Sequence, residues 1–220
     1  MRRLPAIMLL LLLARAAGSL EAQETGAGAA GKRIVLPRQQ EIALARSAAP
    51  PTFARTARVM VFDGARYVVA EPGTGGVACY VGRGWPESLE PHCFDPEGAE
   101  TILPIEMRRV ELRAAGKDSA DIERDIAAGL ASGHFRVPRR PALSYMLSSG
   151  QRLISDEGTP VGSWRPHIMI YYPYLTAAEL GLEGAPDFRG AILVDAGGPT
   201  ANLMIVVPKF IDPEPPPARP

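Results

Sequence analysis

Gly75-Gly76-Val77-Ala78-Cys79-Tyr80-Val81, running on to Pro91-His92-Cys93-Phe94, is the stretch from which the fold is read. Each half is a short apolar run rich in β-branched and aromatic residues, and the first opens directly after a glycine-rich turn. Each half also carries one of the two cysteines of the chain, 14 positions apart. Cysteines on neighbouring antiparallel strands come within bonding distance. In an oxidising compartment two cysteines are most simply a disulfide. Closing a loop of about 15 residues contributes roughly 3 kcal/mol in the chain-entropy picture. A redox-active pair would be spaced as in Cys-x-x-Cys, and the alternative to a bridge is two free or metal-bound thiols.

The N-terminus sets that compartment. Met1-Arg2-Arg3 is a short positive segment, Leu4 to Leu13 contains six leucines, and Ala14-Arg15-Ala16-Ala17-Gly18 is small and breaks the run. This is the pattern of a secretory signal peptide over residues 1–22, with cleavage after Ala16 or after Ala22. An apolar run of about ten residues is too short to span a bilayer, and the competing reading is a buried N-terminal helix. No other stretch is apolar enough to cross a membrane, so no membrane span is expected in the mature protein.

The bulk numbers bound the rest. A chain of 220 residues with 46% hydrophobic and 22% charged residues is globular in composition. Its 22 glycines and 22 prolines call for many turns and short elements. Without residues 1–22 the chain keeps 21 basic and 23 acidic side chains, a net charge of −2. With no basic excess to hold phosphates, nucleic-acid binding is not expected.

Outward from the cysteine strands, residues 23–38 read as a flexible linker, and Gln39 to Ala49 as a short helix anchored by Ile42 and Leu44 and stopped by Pro50-Pro51. Val59 to Phe62 and Tyr67 to Ala70 flank Asp63-Gly64, a dipeptide suited to a tight type I′ turn. Pro72-Gly73-Thr74-Gly75-Gly76 lacks the Lys-Ser/Thr ending of a phosphate loop and opens a strand, so it is a turn. Trp85, in the loop between the cysteines, either packs back on the disulfide or stands exposed as a contact residue.

Residues 101–133 switch to helical spacing. Leu103, Met107 and Val110 mark one helix with Pro104 in its first turn and Gly116 at its end. Ile122, Ile126 and Leu130 mark a second, capped at Lys117-Asp118-Ser119 and ended by Gly133. Arg108, Arg109 and Arg113 then oppose Asp121, Glu123 and Asp125 across a helical hairpin, on solvated faces rather than around an acidic ligand.

Strands return at Leu143 to Leu147, Val161 to Trp164 and His167 to Tyr172. A capping box at Thr176-Ala177-Ala178-Glu179 follows. Ala191 to Val194 then pairs with Leu203 to Val207 across Asp195-Ala196-Gly197-Gly198-Pro199. Residues 209–220 form a proline-rich, unordered tail. The expected architecture is α+β: a largely antiparallel β-meander with an inserted helical hairpin and one disulfide, forming a single domain over residues 39–208.

Chemistry is thinly signalled. There is no Gly-x-Ser-x-Gly and no Ser-x-x-Lys, and Ser148-Ser149-Gly150 has the composition of a turn. The three histidines, His92, His134 and His167, lie on separate segments without metal-ligand spacing. The richest constellation is Trp164-Arg165-Pro166-His167-Ile168-Met169-Ile170-Tyr171-Tyr172-Pro173-Tyr174. On a strand, His167, Met169 and Tyr171 face one way and Ile168, Ile170 and Tyr172 the other. One side is core. The other, with His167, Met169, Tyr171 and the nearby Trp164, carries the donors and acceptors of a weak ligand-binding surface, or is simply the rim of the sheet. His167 and Met169 would also suit copper or haem iron, although a methionine in an apolar strand is equally a core residue.

Ser47-Ala48-Ala49-Pro50-Pro51, Tyr67-Val68, Gly75 to Cys79, Cys93-Phe94-Asp95-Pro96-Glu97-Gly98, Ser144-Tyr145-Met146 and Pro166 to Tyr171 together resemble a family of uncharacterised, signal-peptide-bearing bacterial proteins over about residues 40–207. That resemblance implies an exported bacterial protein and brings no activity, substrate or catalytic residue with it.

The leading expectation is therefore a non-enzymatic exported domain that binds a small molecule or a protein partner through the His167 strand, with no cofactor. One alternative is a hydrolase without a local signature, which needs His167 or His134 beside a carboxylate and a nucleophile such as Asp195 or Ser144. The other is a metal or haem carrier using His167.

Overall fold

The computed structural model describes residues 33–154, 160–162, 164–182, 187–188 and 191–215. The signal peptide and its cleavage site lie outside these residues, as do most of the 23–38 linker and the last five residues of the tail. Among the described residues the elements are α1 (Arg38–Arg46), α2 (Pro51–Ala54), β1 (Arg58–Phe62), β2 (Tyr67–Glu71), β3 (Ala78–Gly82) and β4 (Glu90–Phe94), then α3 (Pro96–Ala114) and α4 (Ser119–Ala131). They continue with β5 (Ala142–Met146), β6 (Leu153–Ile154), β7 (Pro160–Gly162), β8 (His167–Tyr171), β9 (Asp187–Phe188), β10 (Ala191–Val194) and β11 (Asn202–Val206).

Nine strands form one mixed sheet in the order β2-β1-β3-β4-β5-β8-β11-β10-β9, and β6 pairs with β7 apart from it. The protein is thus α+β, but the sheet is not a simple meander. β3 does not continue beyond β2; it crosses to the far side of β1 and pairs with it in parallel, Arg58 opposite Ala78 and Val59 opposite Cys79. The glycine-rich turn makes this crossing possible. Gly73 has φ +65°, and a Cβ there would lie 2.2 Å from the Arg58 nitrogen, so only glycine lets the chain fold back over the start of β1.

Cys79 and Cys93 are direct partners in the β3–β4 register and are joined by a disulfide, with their Cα atoms 4.0 Å apart and both side chains buried. The expected two-residue turn at Asp63-Gly64 is instead a loop over residues 63–66. The Asp63 carboxylate accepts from the backbone N–H groups of both Ala65 and Arg66, and this widens the turn.

The first long helix starts earlier than its apolar spacing suggests. Asp95 accepts from the Gly98 N–H at 2.8 Å and Pro96 occupies the first turn, so Pro104 falls in the helix interior. The α3 face formed by Ala99, Ile102, Leu103 and Val110 covers one side of the sheet, packing on Met60, Phe62, Tyr80, Phe94, Met146 and Met169. Ile105 and Leu112, on the opposite flank of α3, meet Ile122, Ile126 and Phe135. Across that hairpin Arg108 chelates Asp125 and Arg109 reaches Glu123, as expected, while Asp121 pairs with Arg124 of its own helix rather than with Arg113.

α1 covers the other side of the sheet over β1, β3 and β4. Its alanines, with Ala48 and Ala49 just beyond it, are small enough to bring the helix against Val59, Val61, Cys79 and Cys93. Contacts with the sheet and its loops also come from residues outside 39–208. Arg33 is buried, and Ile211 bridges to Ser148, its N–H donating to the Leu147 carbonyl at 2.7 Å. No helix among the described residues is long and apolar enough to cross a membrane.

Candidate functional site

The register of the sheet determines what His167 can meet. β5 lies between β4 and β8, with Tyr145 opposite Cys93 on one side and Ile168 opposite Tyr145 on the other. Side chains alternate across a strand, so the residues next to these point to the opposite face, toward α3. Met146 pairs with His167, and continuing the β4–β5 register by one residue sets His92 opposite Met146. His92, Met146 and His167 therefore form one row across three strands, with Tyr80 beyond His92. Directly opposed side chains have Cβ atoms about 4.5–5.5 Å apart, which sets Met146 beside His167. Past Tyr145 the Leu147 N–H turns to the Ala48 carbonyl, so β5 begins to leave β4 there, and His92 reaches the Ser144 hydroxyl on the same face.

This places the expected ligand face of β8 inside the protein. His167 is 0% exposed, Met169 6% and Tyr171 4%, while Ile168 and Ile170 are half-buried and Tyr172 is 53% exposed. The alternation holds, but the polar side is the covered one. The apolar stripe of α3 lies over that face, whereas α1 lies over β1, β3 and β4 on the other. Trp164 lies half-buried beside the row, its indole 5.4 Å from the His167 ring.

His167 is fixed in one tautomer. Its Nδ1 lies 2.7 Å from the Arg165 carbonyl oxygen, which can only accept, so Nδ1 carries the proton. Nε2 then presents a lone pair, and it is buried without a hydrogen-bond partner among the described residues. Burial lowers the pKa of this imidazole, only partly offset by the Arg165 bond.

His92 is held still more firmly in the neutral form. Burial, reinforced by the neighbouring His167, pushes its pKa down to about 3. Its Nδ1 is 3.5 Å from the Ser144 hydroxyl, and its ring packs against those of Tyr80 and Phe94, which also touch each other. The Tyr171 hydroxyl donates to the Met169 sulfur at 3.6 Å, and burial raises the pKa of both Tyr171 and Tyr80.

The other sequence candidates go elsewhere. His134 sits exposed after α4 with its ring against Phe135, in a groove between α3 and α4 that is also lined by Arg108 and Asp125. Asp195 accepts from the Thr200 N–H and hydroxyl within the β10–β11 turn. Ser144 does meet a histidine, but that histidine is His92. No carboxylate among the described residues hydrogen-bonds to His92 or His167, so the carboxylate arm of a hydrolytic triad is missing at both rings. Nor is any group of three or more His, Cys, Asp or Glu placed to share a metal ion among the described residues.

His92 and Met146 are the participants that sequence spacing does not reveal. The disulfide was the available signal for His92. If Cys93 faces Cys79, its neighbour must point to the other side of the sheet. No known protein family, curated protein or solved structure matches the chain.

Proposed function

We propose that this chain is a non-enzymatic binding domain of an exported protein, and that its ligand is a metal ion held by His92 and His167 between the sheet and α3. The observation that carries this reading is the His167 ring, with one nitrogen tied to a backbone carbonyl and the other buried and unpaired. A buried acceptor left unsatisfied costs about 1–3 kcal/mol, and a ring oriented through Nδ1 with a free Nε2 lone pair is how histidine is prepared to bind a metal. His92, on the same face, supplies a second imidazole, and burial favours the neutral form in which histidine binds a metal. The disulfide and the expected signal peptide support an extracytoplasmic setting.

The test is retention. The full chain with its disulfide intact is equilibrated separately with Zn(II), Ni(II) and Ag(I), freed of unbound ion by gel filtration, and assayed for metal by mass spectrometry. One ion per chain is expected for at least one metal, with loss in His167→Gln and His92→Gln variants whose circular dichroism is unchanged. Failure of the wild-type chain to retain any of the three overturns the proposal.

A further inference from the structure

We infer that the site is selective for a soft monovalent ion, Cu(I) or its redox-inert analogue Ag(I), with Met146 as the third ligand; this rests on the metal-binding reading above. The first argument is charge. Imidazoles bind metal ions in their neutral form and a thioether carries no charge, so two histidines and a methionine bring no negative charge to offset a cation. Two carboxylates act on Tyr80 and both are engaged: Glu106 of α3, which also acts on Tyr171, is paired with Arg109 at 2.9 Å, and Glu90, two residues before His92 on β4, accepts from the Ser88 hydroxyl and the Gly84 N–H. The cost of burying a charge in a poorly polarisable interior rises with its square, so a divalent ion here costs about four times what a monovalent one does. Zn(II) sites in proteins use thiolates, carboxylates or more imidazoles, and this row has none to add.

The second argument is donor softness. Thioethers and imidazoles together suit Cu(I), whereas hard divalent ions prefer oxygen. Met146 is 5% exposed, is paired with His167 and faces the same side of the sheet as His92, while the sulfur of Met169 already accepts from Tyr171. The third argument is the wall. Trp164 places an aromatic face beside His167, and aromatic faces attract cations while excluding water.

Trp164 also supplies a readout, since the chain has only two tryptophans. The full chain and a Met146→Leu variant are titrated with Ag(I) nitrate and with Zn(II), following tryptophan fluorescence, and with Cu(I) supplied anaerobically from a bicinchoninate complex. Leucine conserves volume, so the variant should fold. Expected are one equivalent of Ag(I) with quenching that a Trp164→Phe variant abolishes, and Cu(I) taken from bicinchoninate. Also expected is a loss of at least about tenfold in Ag(I) affinity in Met146→Leu, with Zn(II) affinity unchanged. Equal Ag(I) affinity in Met146→Leu, or Zn(II) bound as tightly as Ag(I), overturns the selectivity while leaving the metal site standing. No binding of any ion by the wild-type chain removes both.

Discussion

Arg83 and Glu41 form an ion pair withdrawn from water, with Nη2 2.9 Å from the carboxylate and side chains 0% and 1% exposed. Other groups satisfy the remaining atoms of the pair. Arg83 donates to the carbonyls of Val81 and Ile34 and lies over the Phe62 ring, and Glu41 accepts from the Phe62 N–H. One contact thus ties α1, the segment at Ile34 and the end of β3 together. Removing one partner strands a buried charge, so Arg83→Met is expected to cost about 3–5 kcal/mol in urea unfolding. The double variant Glu41→Leu/Arg83→Met should lose clearly less than the sum of the single variants. A loss below about 1 kcal/mol for Arg83→Met alone would show the pair to be dispensable.

The same pair makes a pH prediction. Burial raises the pKa of Glu41 above its ordinary 4.5, with Arg83 opposing the shift. The folded chain then binds this proton more tightly than the unfolded one. The contribution of Glu41 to stability is accordingly full below about pH 4.5 and is lost as pH rises through the folded-state value. Carbon-detected NMR titration of the carboxylates should find Glu41 above 4.5 in the wild type and higher still in Arg83→Met. A value at or below 4.5 in either chain would contradict this account.

The disulfide should act as a staple. It closes a loop with a sequence separation of 14 between two strands that are already paired. Replacing both Cys79 and Cys93 by alanine is expected to cost about 3 kcal/mol, and the unpaired chain should still fold around the same register. The comparison of chemical denaturation for the two chains decides it. Equal midpoints would mean that the sheet alone fixes this hairpin.

What could be read before the structure was local, and what escaped was topological. The strands around Cys79, Cys93, Met169 and Leu203 are visible because β-branched and aromatic residues alternate with turn residues at their ends. The two faces of the His167 strand are equally plain from period two. Which face is covered depends on where α3 lies, and no residue on β8 records that. Isoleucine at 168 and 170 argues for a core on that side, yet the apolar stripe of α3 falls on the other. Likewise Met146 looks like an ordinary core methionine until β5 is seated between β4 and β8. The parallel pairing of β3 with β1 was hidden for the same reason, since Gly73 signals a turn but not its destination.

The two long helices offer a controlled comparison of the same residue in the same role. Asp95 caps α3 and Asp118 caps α4, each accepting from the N–H three residues on, at 2.8 and 2.7 Å. Asp118 does this at an exposed surface, so Asp118→Ala should cost an ordinary cap, about 0.5–2 kcal/mol. The Asp95 carboxylate also accepts from the Leu143 N–H at 3.1 Å, and the Asp95 N–H donates to the Leu143 carbonyl at 3.0 Å. It therefore joins the start of the helix to β5, the strand that carries Met146. Asp95→Ala leaves a part-buried backbone donor unpaired as well as removing the cap, which adds about 1–3 kcal/mol. Amide hydrogen exchange should show the difference directly. Protection at Leu143 and along β5 should fall in Asp95→Ala and stay unchanged in Asp118→Ala. Equal losses of stability in the two variants would mean that the bond to β5 contributes nothing beyond the cap.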